Sequence, residues 1–440
     1  MGKYFGTDGI RGEANKTLTL DIALKVGQYL GSQYKGKKLL VGQDTRLSGN
    51  MFASAIASGA SSMGAHVYML GVCSTPAVSY LVVEKEFAGA VMISASHNPY
   101  QDNGLKCFAA SGMKISDDMQ DDIEAFIDGE IELEFADSES IGRINDYAHG
   151  MENYISFIES VVQTPLKGLK IVLDNANGSA VSSSQKAFED LGAQVHVMHS
   201  EPNGVNINYH CGSTHPESLM EKVKELKYDM GFAFDGDADR CLAVDHEGNL
   251  VDGDAILYIL AQDLEARGLL NQSTIVSTVM ANIGFIKAAK AKGFNVVQTD
   301  VGDKHVFAEM VEKDYALGGE QSGHIIVKRY MNTGDGVLTA LMIAEIVAKA
   351  NDSLQSLLDG MLIFPQVLHN MSVEDKHLIM GHESVLEAER NINEALEGDG
   401  RILIRASGTE NLIRIMVEAQ THELCEGHIS DMIKVIRNIG

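Results

Sequence analysis

Met230-Gly231-Phe232-Ala233-Phe234, followed at once by Asp235-Gly236-Asp237-Ala238-Asp239-Arg240, sets an apolar, strand-like run directly against three acids. Ala88-Gly89-Ala90-Val91-Met92-Ile93, followed by Ser94-Ala95-Ser96-His97-Asn98-Pro99, has the same form: an apolar run that opens into a polar loop. Short apolar runs bounded by turn residues read as buried strands. In open α/β sheets the loops beyond strand C-termini are where ligands bind. The two stretches predict an α/β fold that offers a phosphorylatable hydroxyl and a three-carboxylate cation site.

Working outward, short apolar runs alternate with longer segments of 3.6-residue period, the signature of βαβ units with parallel strands. Strands are predicted at 39–41, 66–70 and 88–93, with helices at 51–63 and 76–84. A second unit opens at Lys170-Ile171-Val172-Leu173, and a third at Thr274-Ile275-Val276. After Leu362-Ile363-Phe364-Pro365 the pattern changes to helix 383–396, adjacent strands 401–405 and 412–418, and a closing helix, an α+β arrangement with antiparallel pairing. The expected division is 1–150, 151–250 and 251–365 as related α/β domains, and 366–440 as a smaller α+β domain, since 440 residues exceed one ordinary domain.

The formal charge of −26, with no basic stripe, argues against a nucleic-acid partner. Five cysteines, Cys73, Cys107, Cys211, Cys241 and Cys425, are scattered with no CxxC pair, so neither a disulfide framework nor a zinc site is expected. Met1-Gly2-Lys3-Tyr4-Phe5-Gly6 lacks an apolar leader, and no stretch approaches the roughly 20 apolar residues of a membrane span. A cytoplasmic protein without a membrane partner is the expectation.

Asp235, Asp237 and Asp239 offer hard oxygen ligands suited to Mg²⁺ once the backbone curls, which Gly236 and Ala238 allow. An EF-hand is excluded because its Gly and Glu positions hold Arg240 and His246. Pro99 confines Asn98 to extended or turn geometry, which predicts an exposed hydroxyl at Ser96. A Ser-His hydrolase reading is disfavoured, because neighbouring side chains diverge in an extended chain and no G-x-S-x-G elbow is present. Phosphorylated Ser96 would instead add oxygens able to complete a metal shell with the three acids. Ser94 reads as a turn residue. Downstream, Asn103-Gly104-Leu105-Lys106 offers a lysine able to neutralise phosphate or move a proton, although most lysines are simply solvated.

Arg405-Ala406-Ser407-Gly408-Thr409-Glu410-Asn411, with Arg414 beyond it, combines two guanidinium groups, two hydroxyls and exposed backbone donors, a cradle for a phosphate dianion. Gly318-Gly319-Glu320-Gln321-Ser322-Gly323-His324 places an acceptor, a hydroxyl and an imidazole on one turn, a composition suited to polyhydroxylated ligands.

These segments, with Phe5-Gly6-Thr7-Asp8-Gly9-Ile10-Arg11-Gly12, Gly42-Gln43-Asp44-Thr45-Arg46 and Cys211-Gly212-Ser213-Thr214-His215, stand in an order that resembles the α-D-phosphohexomutases over essentially the whole chain. Gln321, where phosphomannomutase/phosphoglucomutase relatives tend to carry Met, leans toward the branch acting on glucosamine phosphates. The resemblance implies a four-domain architecture around a central cleft. It implies Ser96 as the phosphoserine, and Mg²⁺ held by the Ser96 phosphate with Asp235, Asp237 and Asp239. Arg11, Lys106 and Arg240 would surround the reacting phosphate, while Glu320, Ser322 and His324 would meet the sugar. Arg405, Ser407, Gly408, Thr409 and Arg414 would hold the distal phosphate, and Lys106 or His324 would handle the hydroxyl proton.

The implied reaction converts glucosamine 6-phosphate to glucosamine 1-phosphate through a 1,6-bisphosphate that also serves as activator, on the route to UDP-N-acetylglucosamine and peptidoglycan. A hexose phosphate substrate is the alternative within the class, and a metal-dependent phosphosugar hydrolase or a non-catalytic sensor the alternatives outside it. A homodimer is common among relatives and some homologues pair with a diadenylate cyclase, so both are carried as expectations of the resemblance.

Overall fold

The computed structural model describes residues 2–6, 8–406 and 411–439. The described chain forms two compact units. One comprises the residues up to Val279 together with Val297–Asp359, the other Met280–Val296 with Gly360–Gly440. No helix among the described residues is long and apolar enough to cross a membrane.

The larger unit holds two sheets and most of a third. The first has seven strands in the order Phe5–Gly6, Gly9–Glu13, Asp102–Ala109, Gly89–Ile93, Lys38–Gln43, His66–Val72, Ile144–Asp146. The second runs Leu250–Val251, Cys241–Asp245, Met230–Phe234, Lys170–Asp174, Gln194–Met198. The third runs Asn295–Thr299, Thr274–Thr278, Leu317–Gly319, Ile325–Val327. The predicted strands and helices fall on observed ones, but the sheets are mixed instead of parallel. Gly89–Ile93 pairs in parallel with Lys38–Gln43 on one side and antiparallel with Asp102–Ala109 on the other. Met230–Phe234 and Leu317–Gly319 likewise each take one parallel and one antiparallel neighbour.

The reason lies in the loops singled out in the sequence. Residues 94–101, 235–240 and 320–324 each turn the chain back on itself, so the strand after the loop pairs with the strand before it. Two of those returning strands do not stand out as apolar runs: Asp102–Ala109 opens on polar residues and carries Lys106, and Cys241–Asp245 ends on an acid, while Ile325–Val327 is apolar but only three residues long. The central strands Gly89–Ile93 and Met230–Phe234 are buried along their full length, as expected of strands covered on both faces.

Helices brace the loops from outside. Asp335 caps the helix Gly336–Ala350, accepting from Leu338 N–H at 3.0 Å, and Tyr154 Oη donates to both of its carboxylate oxygens at 2.9 Å. The next residue, Gly336, donates its N–H to Ala238 O at 3.0 Å, so this cap is tied to the acidic loop. Burial pushes the Asp335 carboxyl up to about 7, against the opposing pull of the Leu338 N–H and Tyr154. Its folded pKa exceeds its unfolded one, so the stability it contributes is complete below about pH 4 and is lost as the pH rises through about 7. A rise of that size corresponds to about 4 kcal/mol between the two ends of the range. Asp335→Asn keeps the shape and an acceptor, and is expected to flatten the fall in thermal midpoint between pH 4 and 7 and to raise the midpoint at pH 8. An unchanged slope would count against this account.

The smaller unit contains an antiparallel sheet ordered Gln366–Ser372, Leu412–Glu418, Arg401–Ala406, as predicted for its last two strands. Ile402, Ile404, Ile413, Ile415 and Val417 pack against Ile429, Met432 and Ile436 of the helix His422–Arg437. Burying such aliphatic side chains stabilises the layer by about 1.5 to 3 kcal/mol each.

Candidate active site

Three neighbouring strands of the seven-stranded sheet deliver the first group. Arg11 lies on Gly9–Glu13, Lys106 on Asp102–Ala109 opposite Met92, and Gly89–Ile93 leads into the Ser96 loop. Met230–Phe234 of the second sheet delivers Asp235, Asp237 and Asp239 to the same place. Ser96 Oγ donates to Asp235 Oδ2 at 2.6 Å. The hydroxyl is therefore not exposed as its loop position predicts; Ser96 is only 2% exposed, because the acidic loop closes over it. Contact is tight enough that a Cβ on Gly236 would come within 2.4 Å of Ser96 O.

Ser96 adopts φ +51, a left-handed conformation that costs a non-glycine residue about 1 to 2 kcal/mol. This overturns the expectation that Ser96 and His97 diverge: the backbone is not extended there, and His97 Nδ1 lies 3.2 Å from Ser96 Oγ. Burial, with Arg240 and Arg11 nearby, pushes His97 down to about 4, so it is neutral near pH 7.

What holds Ser96 in this conformation is a residue to which the sequence reading gives no role. Arg46 is buried; its guanidinium donates to Ser96 O (2.8 Å), Asn98 O (2.9 Å), Asp102 O (3.0 Å) and Pro99 O, and pairs with Asp44 at 2.9 Å. Asn208 Nδ2, from the far side, donates to the same Ser96 and Asn98 carbonyls at 2.9 and 3.1 Å. Ser94 completes the frame, donating to Asp44 at 2.6 Å and accepting from Ser96 N–H at 2.9 Å, which agrees with its reading as a turn residue. The Asp-Thr-Arg segment marked Arg46, but only the fold shows where its five donors go.

Each acid has a distinct environment. Asp235 is fully buried, and burial, reinforced by Asp239 and Asp237, raises its carboxyl well above the usual range. Asp237 Oδ2 accepts from Lys106 Nζ at 2.7 Å and from Thr75 Oγ1 at 2.5 Å. Thr75 opens the helix Thr75–Glu84, whose N-terminal dipole favours the carboxylate. Asp239 resists burial through Lys106 and His324, which hold it well below its usual range. The oxygens of the three acids lie within 4.8 Å of one another. Asp237 Oδ1 and Asp239 Oδ1 are buried with no hydrogen-bond partner among the described residues. Two orphaned anionic oxygens in one cluster of hard donors fit a divalent cation such as Mg²⁺.

Lys106 lies within the strand Asp102–Ala109 and is only 2% exposed, not solvated as most lysines are. Burial disfavours its charge, but Asp237, Asp8 and Asp239 outweigh it and raise the ammonium well above the usual lysine range. With no cation on the aspartates, the lysine is held in its charged form. It lies beside the orphaned oxygens and repels any cation bound to them, so Lys106→Met is expected to tighten Mg²⁺ binding by about tenfold or more in calorimetry. Unchanged or weaker binding would contradict that placement. Asp8 extends the ion pairs outward to Lys114 (2.8 Å), which also meets Asp303 at 2.7 Å. Asp8, Lys114 and Asp303 carry no signal in isolation, since each is an ordinary polar residue in its own segment.

Arg11 and Arg240 both lie near His97, and the Nε of each is buried without a hydrogen-bond partner among the described residues, that of Arg240 standing 3.9 Å from Asp239 Oδ1. Those spare donors are suited to an anion beside Ser96. His324 is buried; its Nε2 accepts from Gly334 N–H at 3.0 Å and its Nδ1 faces Asp239 Oδ1 at 3.6 Å. Burial disfavours its charge and Asp239 favours it, to about 9, but the Gly334 N–H works against a proton on Nε2. Nε2 is thus engaged by a protein group, while Nδ1 stands outside hydrogen-bond distance of Asp239 Oδ1. Glu320 Oε1 accepts from Gly302 N–H at 3.1 Å, and Ser322 is exposed. A cleft of about 880 Å³ beside them is lined by Lys114, Asp303, Lys304, His324 and Asn332.

In the smaller unit Arg405 and Arg414 are directly opposite on antiparallel strands. Like charges so placed repel unless an anion lies between them. Ser407, Gly408 and Thr409 lie outside the described residues.

Fold and site together define a multidomain α/β protein with a serine hydroxyl set against a cation-binding carboxylate cluster. The chain belongs to the phosphoglucomutase/phosphomannomutase family: models of its alpha/beta/alpha domains I, II and III and of its C-terminal domain match residues 2–134, 146–248, 252–363 and 368–434. Similar curated proteins include the phosphoglucosamine mutase of Lachnoclostridium phytofermentans, 48% identical over 445 residues that cover 100% of this chain and 99% of the relative. The phosphoglucosamine mutase of Bacillus cytotoxicus is 47% identical over 442 residues, 99% of each. Among solved structures, a phosphoglucomutase/phosphomannomutase family protein from Burkholderia thailandensis superposes with a TM-score of 0.83 at 24% identity, over 99% of this chain and 97% of that one. The N-acetylphosphoglucosamine mutase of Aspergillus fumigatus, in complex with GlcNAc-6P and magnesium, gives 0.65 at 15% identity over 99% and 96%. Both likenesses are of fold.

Proposed function

We propose that this chain interconverts glucosamine 6-phosphate and glucosamine 1-phosphate through a phosphorylated Ser96 and a glucosamine 1,6-bisphosphate. The observation that carries the reaction is the Ser96 hydroxyl 2.6 Å from Asp235, beside two cationic side chains with spare donors. The choice of amino sugar rests on relatives 46 to 48% identical over nearly their whole length, all named phosphoglucosamine mutase.

In this reading the phosphoryl group leaves Ser96 Oγ as the sugar O1 bonds to phosphorus and gives up its proton, while Oγ takes up a proton from the Asp235 and His97 side, giving the bisphosphate. The intermediate turns over; the O6–P bond breaks and the phosphoryl group returns to Ser96, leaving the 1-phosphate. Asp235, Asp237 and Asp239 would hold Mg²⁺, which when bound would supply charge compensation for the transferring group. Arg11, Arg240 and the Lys106 ammonium stabilise charge on the same oxygens. Asp235 Oδ2, with His97 Nδ1 next, is the acceptor nearest the Ser96 proton. Glu320 and Ser322 orient the sugar, and Arg405 and Arg414, with Ser407, Gly408 and Thr409, hold the phosphate that is not reacting. The division of the chain at 150, 250 and 365 belongs to the same reading.

The test is a label chase. Glucose 1,6-bisphosphate carrying labelled phosphate is expected to label Ser96 alone, and unlabelled glucosamine 6-phosphate is then expected to carry the label away as a bisphosphate. Label on another residue, or label released as free phosphate, would overturn the phosphoserine cycle.

A further inference from the structure

On the strand next to the one that carries the acids, three separate segments bring together side chains of softer chemistry. Asp174 ends the strand Lys170–Asp174, His199 follows the strand Gln194–Met198, and Cys211 precedes the turn Gly212–Thr214. A carboxylate oxygen, an imidazole nitrogen and Sγ from these residues lie within 4.8 Å of one another. The geometry points to a second metal site, in which Asp174, His199 and Cys211 take Zn²⁺ or a similar borderline cation.

The donor set argues for that class of ion. One thiolate, one imidazole and one carboxylate favour Zn²⁺ or Co²⁺ and do not suit Mg²⁺. The ligands are held from behind, as ligands of functional metal sites are. Asp174 Oδ1 accepts from Ala176 N–H and Oδ2 from Gly212 N–H, each at 2.9 Å. Asn177 Nδ2 lies 4.0 Å from Cys211 Sγ, placed to donate to a thiolate.

A plain ion pair between Asp174 and His199 is the simpler explanation, and one detail disfavours it. His199 Nδ1 is buried and 3.0 Å from Asp174 Oδ1, yet it is not aligned for a hydrogen bond with any described partner. An ion pair would turn the N–H toward the carboxylate, whereas a shared ion needs both lone pairs directed at a third point. His199 is 29% exposed at its side chain while Asp174 is fully covered, which gives an ion a way in and leaves a coordination position open on that side. Scattered cysteines with no CxxC conceal the site in the sequence, because its ligands come from three segments that only the fold brings together. On binding, the S–H bond of Cys211 is replaced by an S–metal bond and the proton passes to solvent.

The proposed reaction makes no use of Asp174, His199 or Cys211, so the test reads metal binding and not activity. Co²⁺ is titrated into the full chain with Mg²⁺ in large excess to occupy the three-aspartate cluster. One equivalent is expected to bind with a thiolate-to-cobalt charge-transfer band, which Zn²⁺ then displaces. Cys211→Ser is expected to abolish the band. His199→Asn, whose new residue tolerates the left-handed φ of +46 at this position, is expected to weaken binding at least tenfold and serves if the serine variant does not fold. No band in the unaltered chain, or a band that survives Cys211→Ser, would overturn the proposal, the latter because all five cysteines are free and another thiol would then be the ligand.

Discussion

Ser96→Ala is expected to lower mutase turnover by about 10⁴-fold or more, since it removes the atom that carries the phosphoryl group between the two sugar positions. The substitution removes the Oγ contacts to Asp235 and His97 and leaves the loop frame of Arg46, Asn208 and Ser94 in place. The left-handed backbone at Ser96 is equally strained for Ala, so the fold is expected to hold. Calorimetry of Ser96→Ala should still show Mg²⁺ binding, because the three aspartates remain and their orphaned oxygens need a counter-charge. Turnover within tenfold of the unaltered chain would remove Ser96 from the chemistry.

Arg46→Ala is expected to destabilise the larger unit by about 3 to 5 kcal/mol, the usual effect of stripping one partner from a buried charge pair. Burial already raises the Asp44 carboxyl, with the Arg46 guanidinium as its main counterweight. Removing that guanidinium leaves a buried acid unpaired and withdraws donors from four carbonyls of residues 96–102. Hydrogen exchange in residues 94–102 should rise along with the fall in thermal midpoint. Arg46→Lys should recover only part of the loss, because one ammonium cannot reach donors spread over the planar fork. An unchanged midpoint with unchanged exchange would show that the frame does not depend on Arg46.

The sequence was most legible where burial is continuous. Ala88–Ile93 and Met230–Phe234 announce themselves as strands because both faces are covered, and the polar residues that follow mark the loops. Asp235, Asp237 and Asp239 were legible as a cluster because alternate acids with small residues between them have few structural uses. The returning strands were not legible, since Lys106 inside Asp102–Ala109 looks like a solvated loop lysine until Asp237 and Asp8 are placed around it. The burial of Ser96 was hidden for a similar reason: Gly236 and Asn208 cover it from more than a hundred positions away in the chain. Arg46, Asp8, Thr75 and His97 share that limit. Their roles are set by long-range neighbours, which local periodicity cannot report.

The most direct measurement is a product assay with purified protein, Mg²⁺ and a trace of sugar 1,6-bisphosphate, offering glucosamine 6-phosphate and glucose 6-phosphate separately and running Ser96→Ala in parallel. The account predicts preferential formation of glucosamine 1-phosphate, lost in Ser96→Ala. Free phosphate as the product, or isomerisation that persists in Ser96→Ala, would contradict it.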